Sequence, residues 1–188
     1  MNGNEKSPGI GDVVKLSVEE QAIAIRHAKK KSASSRKNGI RNCRISDRSD
    51  LEIELEGVAS ELAFEKLFNL FPDFSLDPKS SANGTDKGDC VWLGLTVDVK
   101  STTHPNGRLT ARSWTKRGSV RVYALMVGEF PEYEFRGFML AEDLLRKERL
   151  NYLPRSSSQC YIAEQRELLC PNALLELLRL VAIKSGTD

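Results

Sequence analysis

Asp89, Asp98 and Lys100 are the residues whose types and spacing could do chemistry together. Asp98-Val99-Lys100 lies in a run of β-formers, CVWLGLTVDVKST. Side chains on a strand alternate between faces, so Asp98 and Lys100 project together while Val97 and Val99 project the other way and can be buried. The run is broken at Gly94, where a hairpin is the economical reading, and a hairpin pivoting there carries Asp89 back alongside Asp98. Two adjacent carboxylates suit one hard cation, because Mg²⁺ takes oxygen ligands and usually accepts one or two carboxylates, with water and phosphate oxygens filling the remaining positions. An ionised acid between two valines needs a counter-charge or a metal if it is buried. The plain alternative is a salt bridge to Lys100 on an exposed strand face.

These groups need a scaffold, and the chain supplies one in mixed order. Residues 1–17 are polar and punctuated by Gly and Pro, which predicts a disordered or loosely ordered arm. Ser17-Val-Glu-Glu reads as an N-cap followed by acids, AIAIRHAKK continues as a helix, and SASSRKNGIRN is a basic connector; residues 18–50 are thus expected to be a basic helical extension. In VASELAFEKLFNLF, after Gly57, Ala63, Phe64, Leu67, Phe68 and Phe71 recur at helical spacing until Pro72 ends the run. DFSLDP reads as a short strand and KSSANGTDKGD as a polar loop. VRVYALMVGEF and YEFRGFML form a second strand pair around Pro131-Glu132, AEDLLRKERL a helix, and CPNALLELLRLVAIK a last helix with Pro171 in its first turn. Such an order predicts an α/β (α+β) domain over residues 51–188.

Composition narrows the class. The 188 residues, 40% of them apolar, suffice for about one domain with a core, and no run reaches the ~20 apolar residues of a bilayer span. The opening MNGNEKSPGIGDVVK lacks a secretory h-region, and the four cysteines form no C-x-x-C pair, so a cytoplasmic protein with structural thiols is expected. Charge balances overall, 28 Lys+Arg against 26 Asp+Glu, but not locally. Lys29, Lys30, Lys31, Arg36, Lys37 and Arg41 fall in one basic stretch, SDLEIELEG then reverses the sign, and Arg112, Lys116 and Arg117 fall in a second basic stretch. Both basic stretches suit a nucleic-acid backbone, although either could be a solvated helix or loop surface.

The pattern resembles the PD-(D/E)xK nuclease superfamily, in which a helix carries an acid, one strand an Asp and the next strand the (D/E)xK tripeptide. The matching positions are Glu61 in GVASELAFEKL, Asp89 in KGD, and Asp98 and Lys100 in VDVK; the match runs from about Gly57 to the C-terminus, and YEFRGFMLAEDLL is similar to the segment after the site in phage and resolvase-like members. The resemblance implies a restriction-endonuclease-like core, a central mixed β-sheet flanked by helices. It implies a Mg²⁺-dependent nuclease, with Mn²⁺ able to substitute, acting on DNA more than RNA in the cytoplasm of a bacterial host if phage-encoded. Asp89, Asp98, the Val99 carbonyl and Glu61 would hold the metal, and Lys100 would orient and help deprotonate the attacking water. A catalytically inactive nucleic-acid-binding or assembly subunit on the same fold is the alternative. Many relatives are dimers, and LLELLRLVAIK has apolar surface enough for a homodimer.

Gly88 stands where the signature has proline, and a literal Pro72-Asp73, with Asp77 and Asp86, offers other acids; Asp89 is preferred because it pairs with Asp98 across the turn. Glu61 could equally be the exposed face of its helix, with Glu65 a turn away. His104, before Pro105, reads as a turn residue, and Trp92 as a packing residue. Trp114, among cations in ARSWTKRG, can stack on an unpaired base or pack in a core or hairpin.

Overall fold

Apolar residues on both alternating faces make Val122–Glu129 the natural centre of a sheet, since a strand covered on both sides reads as a nearly continuous hydrophobic run. The structure, a computed structural model, describes residues 7–37, 48–72, 88–115, 118, 120–154 and 158–185. Its strands are β1 (Val13–Lys15), β2 (Cys90–Trp92), β3 (Leu95–Thr102), β4 (Leu109–Arg112), β5 (Val122–Glu129), β6 (Glu132–Leu140), β7 (Leu150–Tyr152) and β8 (Gln159–Ala163). Its helices are α1 (Val18–Lys37), α2 (Asp50–Leu67), the short α3 (Ala141–Leu144) and α4 (Pro171–Ser185). A five-stranded sheet runs β1-β6-β5-β3-β2 and a three-stranded sheet β4-β8-β7. β3 and β5 are parallel and every other pairing is antiparallel, so the fold is mixed α+β with a mixed central sheet flanked by helices.

One face of the large sheet carries the helices. Val97, Val99, Val122, Ala124, Met126, Phe135 and Phe138 pack there against Ala59, Leu62, Ala63 and Phe64 of α2, Ala24 and Ala28 of α1, and Leu174 of α4. Aromatic rings lock this layer: Trp92 stacks on Phe138 with centroids 4.9 Å apart, and Phe68 meets Phe135 edge-on at 5.2 Å. Trp92 is therefore the packing residue its flanks suggested. The opposite face carries Tyr123, Leu125 and Val127, covered by Leu109 and Ala111 of β4, Ala163 of β8 and Leu144 of α3. Each face thus has its own apolar cluster, and the small sheet lies across from the helices.

Several expectations need correction. Val13–Lys15, inside the arm expected to be loose, pairs with β6 as an edge strand, and the Lys15–Val18 turn leads straight into α1. Within 18–50, the expected helix is α1, and Ala24, Ala28 and Ser32, four residues apart, are buried on it, the small side chains letting α1 lie close against α2. α2 begins at Asp50, seven residues before the expected glycine: Ser49 and Glu52 form a capping box, with the Glu52 N–H donating to Ser49 Oγ at 3.3 Å and the Ser49 N–H to Glu52 Oε2 at 2.7 Å. The acid-rich SDLEIELEG is thus a helix start, where negative charge is favoured by the helix dipole. α2 stops at Leu67, Asn69 takes the left-handed conformation at φ 52°, and Phe71 is 98% exposed instead of continuing the core stripe. α3 covers four residues rather than ten, and Lys147–Arg149 form a 3-10 turn. The strand expected at DFSLDP and the loop after it lie outside the described residues. No helix among those described is long and apolar enough to cross a membrane.

Candidate active site

The β2–β3 hairpin turns at Leu93 and Gly94, with φ of 48° and 80°, the two left-handed residues that let a two-residue turn match the strand twist. Its register pairs Cys90 with Val97 and Trp92 with Leu95, which sets Asp89 at the level of Asp98. Asp89 then brackets that residue. Its backbone N–H donates to the Val97 carbonyl at 2.7 Å, and its carboxylate Oδ2 accepts the Val99 N–H at 2.8 Å. Gly88 enters this bracket at φ +75°, and a Cβ there would lie 2.5 Å from Thr96 Cγ2 and 2.9 Å from the Val97 carbonyl oxygen. Proline, locked near φ −65°, has no place at this hairpin entry, which is why glycine stands before Asp89.

Asp98 projects from the other face of β3 than Val97 and Val99, toward Tyr123, its register partner on β5. It is 2% exposed, so of the plain reading the salt bridge to Lys100 is present but the exposed setting is not. A carboxylate in that position needs compensation. Lys100 provides it, with Nζ 2.5 Å from Asp98 Oδ1 and 5.9 Å from the centroid of the Tyr123 ring, whose electron-rich face attracts the ammonium. The Lys100 side chain is 35% exposed, so the pair runs from a buried acid to a cation that meets solvent.

Glu61 is placed in a different layer. α2 packs on the Val97/Val99 face, and Glu61 Oε1 lies 3.6 Å from Lys31 Nζ on α1, which also reaches Glu54 Oε2 at 3.9 Å. Glu61 is part-buried there, and Glu65, its neighbour one turn on, is buried. The structure therefore pairs Asp98 with Lys100, ties the Asp89 carboxylate to the Val99 N–H, and seats Glu61 at the α1–α2 interface. Among the described residues, no three His, Cys, Asp or Glu side chains group as a ligand set. Lys29 and Lys30 are exposed on α1, whereas Lys31 is engaged with the two acids of α2. Arg112 is exposed at the end of β4. The side chains of Arg36, Lys37, Arg41, Lys116 and Arg117, and the acids Asp73, Asp77 and Asp86, lie outside the described residues. His104 is a turn residue: its Nδ1 accepts the Asn106 N–H at 3.1 Å and its carbonyl the Gly107 N–H at 2.7 Å.

Tyr123 is the site neighbour that sequence reasoning missed. Its alternation with Val122 and Ala124 was visible, but its position beside Asp98 depends on the parallel β3–β5 register, which no local pattern encodes. No curated protein and no solved structure matches the chain. A family model does, over residues 7–178, a span that contains every described strand and Glu61, Asp89, Asp98 and Lys100; the chain belongs to DUF5843, a family of unknown function.

Proposed function

We propose that this protein is a metal-dependent nuclease of the PD-(D/E)xK type that hydrolyses phosphodiester bonds of DNA. The observation that carries the reading is Asp98: a 2%-exposed carboxylate held 2.5 Å from the Lys100 ammonium, with the Asp89 carboxylate fixed on the N–H of the next residue. An acid buried at that cost, beside a second acid and a lysine, is a common mark of a chemical site. The donor set is all hard oxygen, from Asp89, Asp98 and the Val99 carbonyl, which fits Mg²⁺ or Mn²⁺ with water and phosphate oxygens completing the coordination. Bound there, such an ion supplies charge stabilisation at the scissile phosphate and lowers the pKa of a coordinated water.

The protein's own groups do the rest. The Asp89 hydrogen bond to Val99 fixes one carboxylate against the strand, so it does not have to be ordered when substrate arrives. Asp98 fixes the position of Lys100, and the group, facing solvent, orients the attacking water; to take that water's proton it would first release one of its own to solvent, passing through the neutral amine. The resemblance assigns Glu61 to the same ion; for that role its pair with Lys31 has to open, and Glu61→Gln is the variant that decides it.

The test is cleavage of plasmid, single-stranded and branched DNA with Mg²⁺, Mn²⁺ or EDTA. Cleavage that EDTA abolishes, and that Asp98→Asn and Lys100→Ala each lower by at least about 100-fold, is expected. A parent protein that binds DNA and never cuts it would overturn the nuclease reading in favour of a silent binding subunit, the reading that the engaged Glu61 favours.

A further inference from the structure

Trp114 is 53% exposed, although tryptophan carries more apolar surface than any other side chain and Trp92, the other tryptophan of the chain, is buried at 8%. It stands in the turn that closes β4, where the Thr115 N–H donates to the Arg112 carbonyl at 2.9 Å. The Arg112 guanidinium lies over its ring, Cζ 5.4 Å from the centroid. One planar cation and one planar ring thus project together into solvent.

The surroundings are suited to a polyanion. In the three-stranded sheet Leu109 and Ala111 face the core, so Thr110 and Arg112 face outward, with their partners Ile162 and Cys160 and, beyond Cys160, Asn151. None of these outward strand residues is acidic. The inner face of the same sheet packs on the side of the large sheet from which Asp98 and Lys100 project, with β4 next to β3. The exposed pair therefore stands on the outer side of the layer whose inner side faces Asp98 and Lys100.

We infer that Arg112 and Trp114 form a stacking platform for an unpaired base of single-stranded DNA, which would make single-stranded or frayed DNA the substrate class of this nuclease. The inference rests on the nuclease reading for the identity of the polymer. Every base offers a π-face, so such a platform binds strands with little regard to sequence, and the guanidinium adds both a cation–π contact and a phosphate partner. Duplex DNA, whose bases are already stacked, presents no such face away from its ends.

The experiment uses the full chain in EDTA, so that binding is read without cleavage, and a dT oligonucleotide as the probe. Because Trp92 is buried, quenching of the solvent-exposed component of the emission reports on Trp114. Saturable quenching by dT is expected in the parent; by anisotropy of a fluorescein-labelled dT, which does not depend on the tryptophan, a loss of affinity of about tenfold in Trp114→Leu and retention of most of it in Trp114→Phe, which keeps a ring, are expected. Arg112→Gln should weaken binding and flatten its salt dependence. Equal affinity of Trp114→Leu and the parent for dT, or equal quenching by a blunt duplex of the same length, overturns the platform. The two readings fail separately: a protein that cuts DNA with Mg²⁺ but whose Trp114→Leu variant binds dT unchanged loses the platform alone, whereas one that never cuts loses the nuclease and leaves the quenching result to decide the platform.

Discussion

The two faces of β3 differ in what they bury. On one, Val97 and Val99 meet a layer of rings and aliphatic chains from α2, β5 and β6. On the other, Asp98 is as thoroughly shielded as the valines, yet it carries a charge answered by Lys100. A two-residue alternation has let a single strand support the fold on one side and hold a charge at low dielectric on the other, where attraction between ion and counter-ion is stronger than in water. Stability and chemistry should therefore separate cleanly by face.

The largest separation is expected at Asp98. Asp98→Asn keeps the shape, removes the charge, and leaves behind an ammonium that solvent can reach, so cleavage should fall by at least about 100-fold while stability changes by no more than about 1 kcal/mol. Parallel urea melts and cleavage rates check both halves, and a variant that unfolds would show the acid to be structural instead. Phe138→Ala, on the packed face, is the mirror case: loss of a ring that touches Phe64, Phe68, Trp92 and Phe135 should cost about 3–5 kcal/mol, with cleavage per folded molecule retained.

A smaller effect is expected where a polar group crosses the packed face. The Tyr133 hydroxyl donates to Glu56 Oε2 at 2.7 Å, and Glu56 also accepts the Phe130 N–H at 3.3 Å, tying α2 to the β5–β6 turn. Burial, then the neighbouring Glu56 carboxylate, pushes the phenol well above its usual range, so it remains a donor throughout physiological pH. Tyr133→Phe should cost about 1.5–3 kcal/mol in denaturant melts, the worth of a hydrogen bond to a charged group, while Glu56 keeps the Phe130 N–H and its Arg48 partner 3.8 Å away. The smallest effect belongs to Glu167. The Glu164 N–H holds its carboxyl below the ordinary range, against an opposing push from burial, and Arg149 adds to the lowering. A depressed folded-state value stabilises the fold above the unfolded value of roughly 4.3, and that contribution disappears as pH falls through the folded value. The stability gap between parent and Glu167→Gln should then be flat above about pH 5 and shrink below it; a gap independent of pH would refute the assignment.

Legibility from sequence followed local chemistry. Gly94 announced the hairpin, Pro131 the second turn and Pro171 the start of α4, because glycine and proline act on their own residues. The Asp98/Lys100 pairing was legible for the same reason, since alternation is a property of one strand. What escaped depended on distant partners. β1 is three residues long and exists because β6 offers an edge; β4, β7 and β8 are short and exist because they pair with one another over Tyr123 and Leu125. The first half of α2 was hidden by its acids, which read as a change of sign although Ser49-x-x-Glu52 is a helix-start signal. Glu61 shared its helix with the core stripe, and only the approach of α1 shows that it meets Lys31.

The parallel seam between β3 and β5 has a consequence for the order of assembly. Each strand belongs to a tight antiparallel hairpin that closes locally, but residues 103–121, with β4 among them, must be looped out before Asp98 finds Tyr123. Contacts that demand a long loop form late, so the acid should stay hydrated through most of folding and lose its water only as the seam zips shut. A nascent or partly unfolded chain would then carry its hairpins intact while Asp98 still lies in water.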